Sequence, residues 1–358
     1  MPYRGPGQRT SSVRPLLEGD EVGNRRVKGF AWKAPRPGDR SNHHNDVLLL
    51  DGDEQMDTPP DRAVPQTSEG AVAVGLMPPD DLLPEERRKA GSVDLEIAVR
   101  ADALLDLPGA PWEPLVRPLF AAVHATGHRM WVAGGAARDV VMGVAPQDVN
   151  DLDLSGTVAP GRFSDITYQT LRALQMSECR TTVTPSSLVC AVVKPGSMKR
   201  LIEYRGLSRG GFRFPVVGSR LAEDARHRDY SFNALLYDIF DHEIYDPCGH
   251  GFEDLLGAVR RFMPLNQSVE PLNLGHVVLR TMKFALRWEG DKELDLEPAR
   301  VWMSKLPPEL WSSLTENAWD SLRKTWEEIT APVGRQLEFA STLPQPARIL
   351  IESVIGRV

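Results

Sequence analysis

Met130-Trp131-Val132-Ala133-Gly134-Gly135-Ala136-Ala137-Arg138-Asp139, followed after a short apolar connector by Asn150-Asp151-Leu152-Asp153-Leu154-Ser155, is the stretch whose reading decides the fold. An apolar run of four opens onto two glycines and continues at helical spacing, which predicts a buried strand, a tight turn and a helix. The second run reads as a strand on which Asp151 and Asp153, two apart, share one face. Bare backbone at a helix N-terminus offers unpaired N–H groups and the positive dipole end to a phosphate, and Arg138, one turn further, adds a cation. Neighbouring carboxylates repel unless cations neutralise them, and a doubly acidic oxygen site suits Mg²⁺ together with substrate phosphates. The stretch therefore predicts a seat for phosphate and metal ions. Taken by itself, it would also be satisfied by a plain tight turn and two solvated aspartates.

The chain has 358 residues, 41% hydrophobic and 25% charged, enough for two domains of ordinary composition. A formal charge of -7 excludes a protein that grips nucleic acid by bulk basicity, so any such contact must come from a local patch. Three cysteines, Cys179, Cys190 and Cys248, give neither a disulfide framework nor a zinc signature and read as reduced thiols of a cytoplasmic protein. No apolar run approaches the roughly 20 residues of a membrane span. Arg4, Arg9 and Arg14 give the first residues a faint transit-peptide character, which Pro2, Pro6 and Pro15 oppose by breaking any amphipathic helix.

Residues 1–92 carry little apolar periodicity and many prolines and glycines, and are expected to form a disordered arm. Order is expected from Val93, with helices over 94–105 and 112–125, the strand 130–133, and a helix over 163–176. Strands are expected near 180–183, 188–193 and 200–204, then a helix over 221–236 and a strand over 243–246. Helices alternating with apolar strands predict an α+β head over 93–265, a mixed sheet with helices mainly on one side. From 266 to 358 the pattern is helical, with Trp319, Leu322 and Trp326 on one face as core.

Downstream stand Glu223-Asp224-Ala225-Arg226-His227-Arg228-Asp229-Tyr230-Ser231-Phe232-Asn233-Ala234 and Asp246-Pro247-Cys248-Gly249-His250-Gly251-Phe252-Glu253-Asp254-Leu255. With the opening stretch, these blocks resemble the head of class II CCA-adding enzymes and bacterial poly(A) polymerases, a branch of the polymerase-β-like nucleotidyltransferases, over residues 115–290. The family reads Gly-Gly-x-x-Arg-Asp, Asp-x-Asp, Arg-Arg-Asp-x-x-x-Asn-Ala and Asp-x-x-x-Gly with Asp-Leu after. The resemblance implies a nucleotidyltransferase head followed by an all-helical domain. It implies transfer of AMP or CMP from ATP or CTP to an RNA 3′ end, tRNA included, with Mg²⁺ at Asp151 and Asp153. It further implies that Gly134, Gly135 and Arg138 meet the triphosphate, that Arg228, Asp229 and Asn233 surround its sugar and phosphates, and that Glu203 is the candidate third carboxylate.

The sequence departs from the family pattern at several points. An ungapped reading would move the aspartate pair to Asp148 and Asn150, but Asn is a poor substitute for an anionic ligand, which favours Asp151 and Asp153. His227 replaces the first arginine of Arg-Arg-Asp and is only partly charged near neutrality. Direct alignment puts Arg200, not Glu203, at the family's later acid. Aligning Leu279-Arg280-Thr281-Met282-Lys283-Phe284 with the family places Asn273, Leu274 and Val277 where Glu-Asp-x-x-Arg would read the base. The helical part is also shorter than the family's. A different acceptor, a protein or a small molecule, and a head that only binds RNA or nucleotide remain alternatives.

Overall fold

The computed structural model describes residues 82–357 apart from 177, 185–188, 195–199, 209–216 and 267. Residues 1–81 of the expected arm lie outside the described residues. Its last part is a correction to that expectation, because Arg87–Lys89 form strand β1, paired antiparallel with β8 (Glu243–Tyr245), and Ala90–Val93 form α1. Charged residues suit this position, since an edge strand lines its outer side with cations that discourage further pairing.

Three helices precede and flank the opening strand: α2 (Ile97–Leu105), α3 (Glu113–Ala125) and, after β2 (Met130–Val132), α4 (Gly134–Met142). Then follow β3 (Asp153–Gly156), α5 (Pro160–Ala173), β4 (Arg180–Thr184), β5 (Val189–Val193) and β6 (Arg200–Gly206). The strands form one mixed sheet in the order β1-β8-β7-β2-β3-β6-β5-β4, in which β7 is Leu236–Asp238. All its pairs are antiparallel except β3 with β6.

Strand alternation gives the two faces different jobs. Met130, Val132, Leu154, Ile202, Tyr204, Tyr237 and Ile244 point into the main core beneath α3 and α5. Trp131 stands opposite Ser155 on the other face, where Trp131, Ala133, Leu207, Leu221, Leu236 and Tyr245 form a small second cluster. On that face the middle strands carry Asp153, Ser155, Glu203 and Arg205, so a polar row interrupts the apolar one beside β2.

The helix expected over 221–236 is broken. Only α6 (Leu221–Ala225) forms, followed by a 3₁₀ turn at Ser231–Asn233 and β7. Asp229 Oδ1 accepts the Tyr230 N–H at 2.8 Å, and the Ser231 N–H goes to the Met263 carbonyl at 3.1 Å, so these donors are diverted from a helical ladder. After α7 (Gly251–Leu256) and β9 (Val259–Arg261), α8 (Pro271–Arg287) leads into the C-terminal helices. One exception to the all-helical expectation is β10 (Glu293–Asp295), which pairs parallel with β9. Beyond it run α9 (Glu297–Ser304), α10 (Glu316–Glu327), α11 (Val333–Ser341) and α12 (Gln345–Ile355). Trp319 and Leu322 are buried there, and Trp326 packs against the same core. His276 ties α8 to α10, its ring nitrogens 2.9 Å from Thr325 Oγ1 and 3.2 Å from Ser321 Oγ. Burial beside Arg280 presses its pKa down to about 4, so it holds this junction as a neutral ring. No helix of the described residues is long and apolar enough to cross a membrane.

Candidate active site

The strand, glycine turn and helix of the opening stretch form as the pattern dictates. Gly134 takes φ +56°, a left-handed conformation that suits glycine, and α4 starts there without a side-chain cap. Its first N–H groups therefore face outward beside Asp153, close enough that a Cβ built on Gly134 would lie 3.0 Å from Asp153 Oδ2. Gly134→Ala combines backbone strain of about 1 kcal/mol with displacement of this carboxylate. It is expected to cost triphosphate affinity out of proportion to stability, as nucleotide binding and thermal unfolding measured together would reveal.

Asp153 begins β3, whereas Asp151 lies in the loop before it and is exposed. The pair therefore does not share a regular strand face as expected, although the Asp151 charge still reaches Asp153. Burial and the Asp151 charge push the Asp153 pKa up to about 6, against the pull of Arg228, Arg280 and Arg138. Glu203 stands beside Asp153 in the parallel register of β3 and β6, half-buried and ion-paired with Arg200. Segments 150–153 and 200–203 together line a cleft of about 210 Å³. A larger cavity of about 420 Å³, lined by Pro111, Met176 and Cys179 among others, has Glu178 as its one acid among the described residues. Among the described residues no group of three or more His, Cys, Asp or Glu side chains converges as a ready-made metal site. The donor set that is present, two hard carboxylates of which one is held protonation-prone by burial and a like charge, fits a divalent cation that would neutralise it.

Arg138 is buried and fully engaged. Its Nε donates to Asp139 Oδ1 at 2.8 Å, its Nη1 to Asn233 Oδ1 at 2.7 Å, and its guanidinium lies 4.7 Å from the centre of the Phe284 ring. Asn233 Nδ2 in turn donates to both oxygens of Asp229 at 3.0 Å, and Asp229 Oδ2 accepts Arg280 Nη1 at 3.1 Å. These contacts keep Asp229 below the usual carboxylate range although burial acts against them. Arg228 donates Nε and Nη2 to Asp224 Oδ2 at 3.0 and 2.9 Å and Nη2 to Ser155 Oγ at 3.0 Å. His227 is exposed, and partial desolvation with the nearby Arg205 lowers its pKa, so it is neutral at physiological pH.

Sequence reasoning missed Arg280, Arg205, Asp224 and Ser155. Arg280 was visible as the arginine of the Leu-Arg-x-x-Lys-Phe run, and Ser155 as the next same-face residue after Asp153. Arg205 and Asp224 meet only through the fold. Of the positions aligned with the family's base reader, Leu274 and Val277 are buried in the core, while Asn273 is exposed and donates to Ser268 Oγ at 3.2 Å.

A family model described as the poly A polymerase head domain matches residues 130–260. The CC-adding tRNA nucleotidyltransferase of Shouchella clausii is 28% identical over 176 residues, 48% of this chain and 39% of that protein. Poly(A) polymerase I of Escherichia coli O6:H1 is 22% identical over 195 residues, 52% of this chain and 41% of that protein. The chain thus spans less than half the length of these relatives. Among solved structures, the Thermotoga maritima CCA-adding enzyme complexed with tRNA-CCA aligns with a TM-score of 0.49 at 17% identity, covering 72% of this chain and 54% of that one. The Bacillus stearothermophilus CCA-adding enzyme in complex with CTP aligns at 0.47 and 18% identity, covering 66% and 53%.

Proposed function

We propose, from the match of residues 130–260 to the poly A polymerase head domain, that the chain transfers a nucleoside monophosphate from ATP or CTP to the 3′-hydroxyl of an RNA, tRNA among the candidates. The observation that carries this reading is Asp153, poised between the open N-terminus of α4 and the field of three arginines. The hydroxyl oxygen forms a bond to the α-phosphorus while the bond from that phosphorus to the bridging oxygen breaks. Pyrophosphate leaves with the electron pair, and the hydroxyl proton passes to solvent. Divalent cations, Mg²⁺ held by Asp151 and Asp153 with Glu203 as the adjacent acid, would supply charge neutralisation at the α-phosphate. The chain's own residues do the positioning. Amides at Gly134 and Gly135 receive phosphate oxygens, Arg228 compensates their charge, and Arg138, Asn233 and Asp229 hold the turn and Arg280 in place.

A boundary near 266 divides this reading into a catalytic head, which already includes β1 and α1, and a helical unit, in a protein of the reducing cytoplasm. Between residues 266 and 358 eleven Lys and Arg face thirteen Asp and Glu, and Arg335, Arg357 and Lys283 are each ion-paired to glutamates. Such a surface holds an RNA backbone weakly, so the acceptor is engaged mainly at its end. Burial of Leu274 and Val277 also favours loose base choice or, as a second reading, a protein or small-molecule acceptor. Incubation with each α-labelled triphosphate, with and without total RNA, tests both. RNA is expected to carry the label, less of it in Asp151→Ala; label on another species supports the second reading, and an inert wild-type protein overturns both.

A further inference from the structure

The side of the site beyond Asp153 holds more positive charge than the roles above use. Arg205 on β6 lies beside Ser155 of β3, whose hydroxyl donates to the Arg205 carbonyl at 3.0 Å. The Arg205 guanidinium donates to Ser208 Oγ and stands 3.8 Å from Asp224 Oδ1. Asp224 is buried; the same oxygen takes the Ser208 N–H at 2.7 Å, while its other oxygen takes both Arg228 bonds. One carboxylate is therefore shared by two guanidinium groups, which leaves a net positive charge within reach of Arg280. Burial, which Asp224 only partly offsets, lowers the Arg205 pKa, and the charges of Arg228 and Arg280 crowd it in the same direction. A multiply charged anion relieves that crowding.

Ser155 is two residues past Asp153 on the same face, about 6.6 Å along the strand. In the other direction from Asp153 lies the cleft between 150–153 and 200–203. The carboxylates thus stand between an open cleft and a cation pair, which is the order an in-line displacement requires: the nucleophile enters on one side and the leaving group departs on the other.

We propose that Arg205, paired with Arg228 around Asp224, forms the seat of the departing pyrophosphate, and that the acceptor hydroxyl enters from the cleft opposite. This rests on the nucleotidyl-transfer reading above. As the α-phosphorus to bridging-oxygen bond breaks, the charge left on pyrophosphate falls on the two guanidinium groups, and no oxidant or further reactant is involved.

Calorimetric binding of inorganic pyrophosphate with Mg²⁺ to the full chain tests this without turnover. Arg205→Gln is expected to weaken pyrophosphate about tenfold, the loss of one charge-assisted bond, while a nucleoside monophosphate binds as before. Arg205→Lys should fall between the two. In turnover, Arg205→Gln should raise the inhibition constant for pyrophosphate and the KM for the triphosphate more than it lowers kcat. No weakening, or equal weakening of both ligands, overturns the proposal. If Arg205→Gln does not fold, Asp224→Asn decides: releasing both guanidinium groups should tighten pyrophosphate, and unchanged or weaker binding overturns it. Pyrophosphate binding through Arg205 in a chain that transfers no nucleotide would sink the transferase reading alone; transfer with a pyrophosphate affinity indifferent to Arg205 would sink this one alone.

Discussion

Asp153→Asn is expected to lower nucleotide transfer by about three orders of magnitude or more while raising the thermal stability of the metal-free protein. The loss follows from charge. A cation stabilising a transferring phosphoryl group contributes several kcal/mol to the transition state, each 1.4 kcal/mol being tenfold, and an amide holds it poorly. The gain in stability follows from the pKa of about 6 that burial and Asp151 impose on Asp153. Because this lies above the ordinary aspartate value of 3.8, the folded chain keeps a proton that the unfolded chain has released. The Asp153 contribution is therefore full below about pH 4 and is lost as pH rises to about 6. At pH 7 the penalty is on the order of 3 kcal/mol at most, and the asparagine does not incur it.

Subtracting the unfolding curve of Asp153→Asn from that of the wild type isolates this group, since other groups titrate in both. Asp224 and Asp229 have lowered pKa values, so their stabilisation is present at neutral pH and is lost only in more acid solution. The lowered His276 works in the opposite sense to Asp153, its stabilisation growing as pH rises from about 4. Added Mg²⁺ should raise the wild-type midpoint and leave Asp153→Asn unmoved. A variant that melts at the wild-type temperature at pH 7 without metal would show that Asp153 carries no such penalty.

What the sequence made legible here was whatever is local. The glycine turn, the strand before it and the order of the acidic and basic blocks all lie within short windows, and their geometry follows from backbone rules. Three features were hidden because they depend on contacts distant in the chain. Arg87–Lys89 look like a charged tail until Glu243–Tyr245 supply a partner. The helix over 221–236 has good periodicity, yet Asp229 and the Met263 carbonyl take the N–H groups it would need. Asp151 and Asp153 satisfy the spacing of a strand face, but β3 starts only at Asp153. The arginine side of the site was least legible of all beyond Arg228, since Arg205 and Arg280 come from β6 and α8 and join Arg228 only once the sheet is formed.

Asp229 provides the second large effect, because it is the buried carboxylate through which Asn233 and Arg138 of the glycine-turn helix are joined to Arg280 of α8. Its oxygens receive Asn233 twice, the Tyr230 N–H and Arg280, and Asn233 passes the connection to Arg138. Asp229→Ala leaves Arg280, itself partly exposed, without its counter-ion and the buried Asn233 without its acceptor, and should cost about 2 to 3 kcal/mol, measured as a fall in the urea midpoint at constant slope. An apolar replacement of both partners, Asp229→Leu with Arg280→Met, removes the stranded charge along with its mate and should recover most of that loss. Activity should not return with it. The double variant fills the space but no longer fixes Asn233, and Arg138 loses the bond that orients it beside Gly135. Folding and catalysis would then part company in one protein, stable and inactive. A double variant as unstable as Asp229→Ala would instead mean that the ion pair itself, rather than the avoidance of unpaired polar groups, holds α8 to the head.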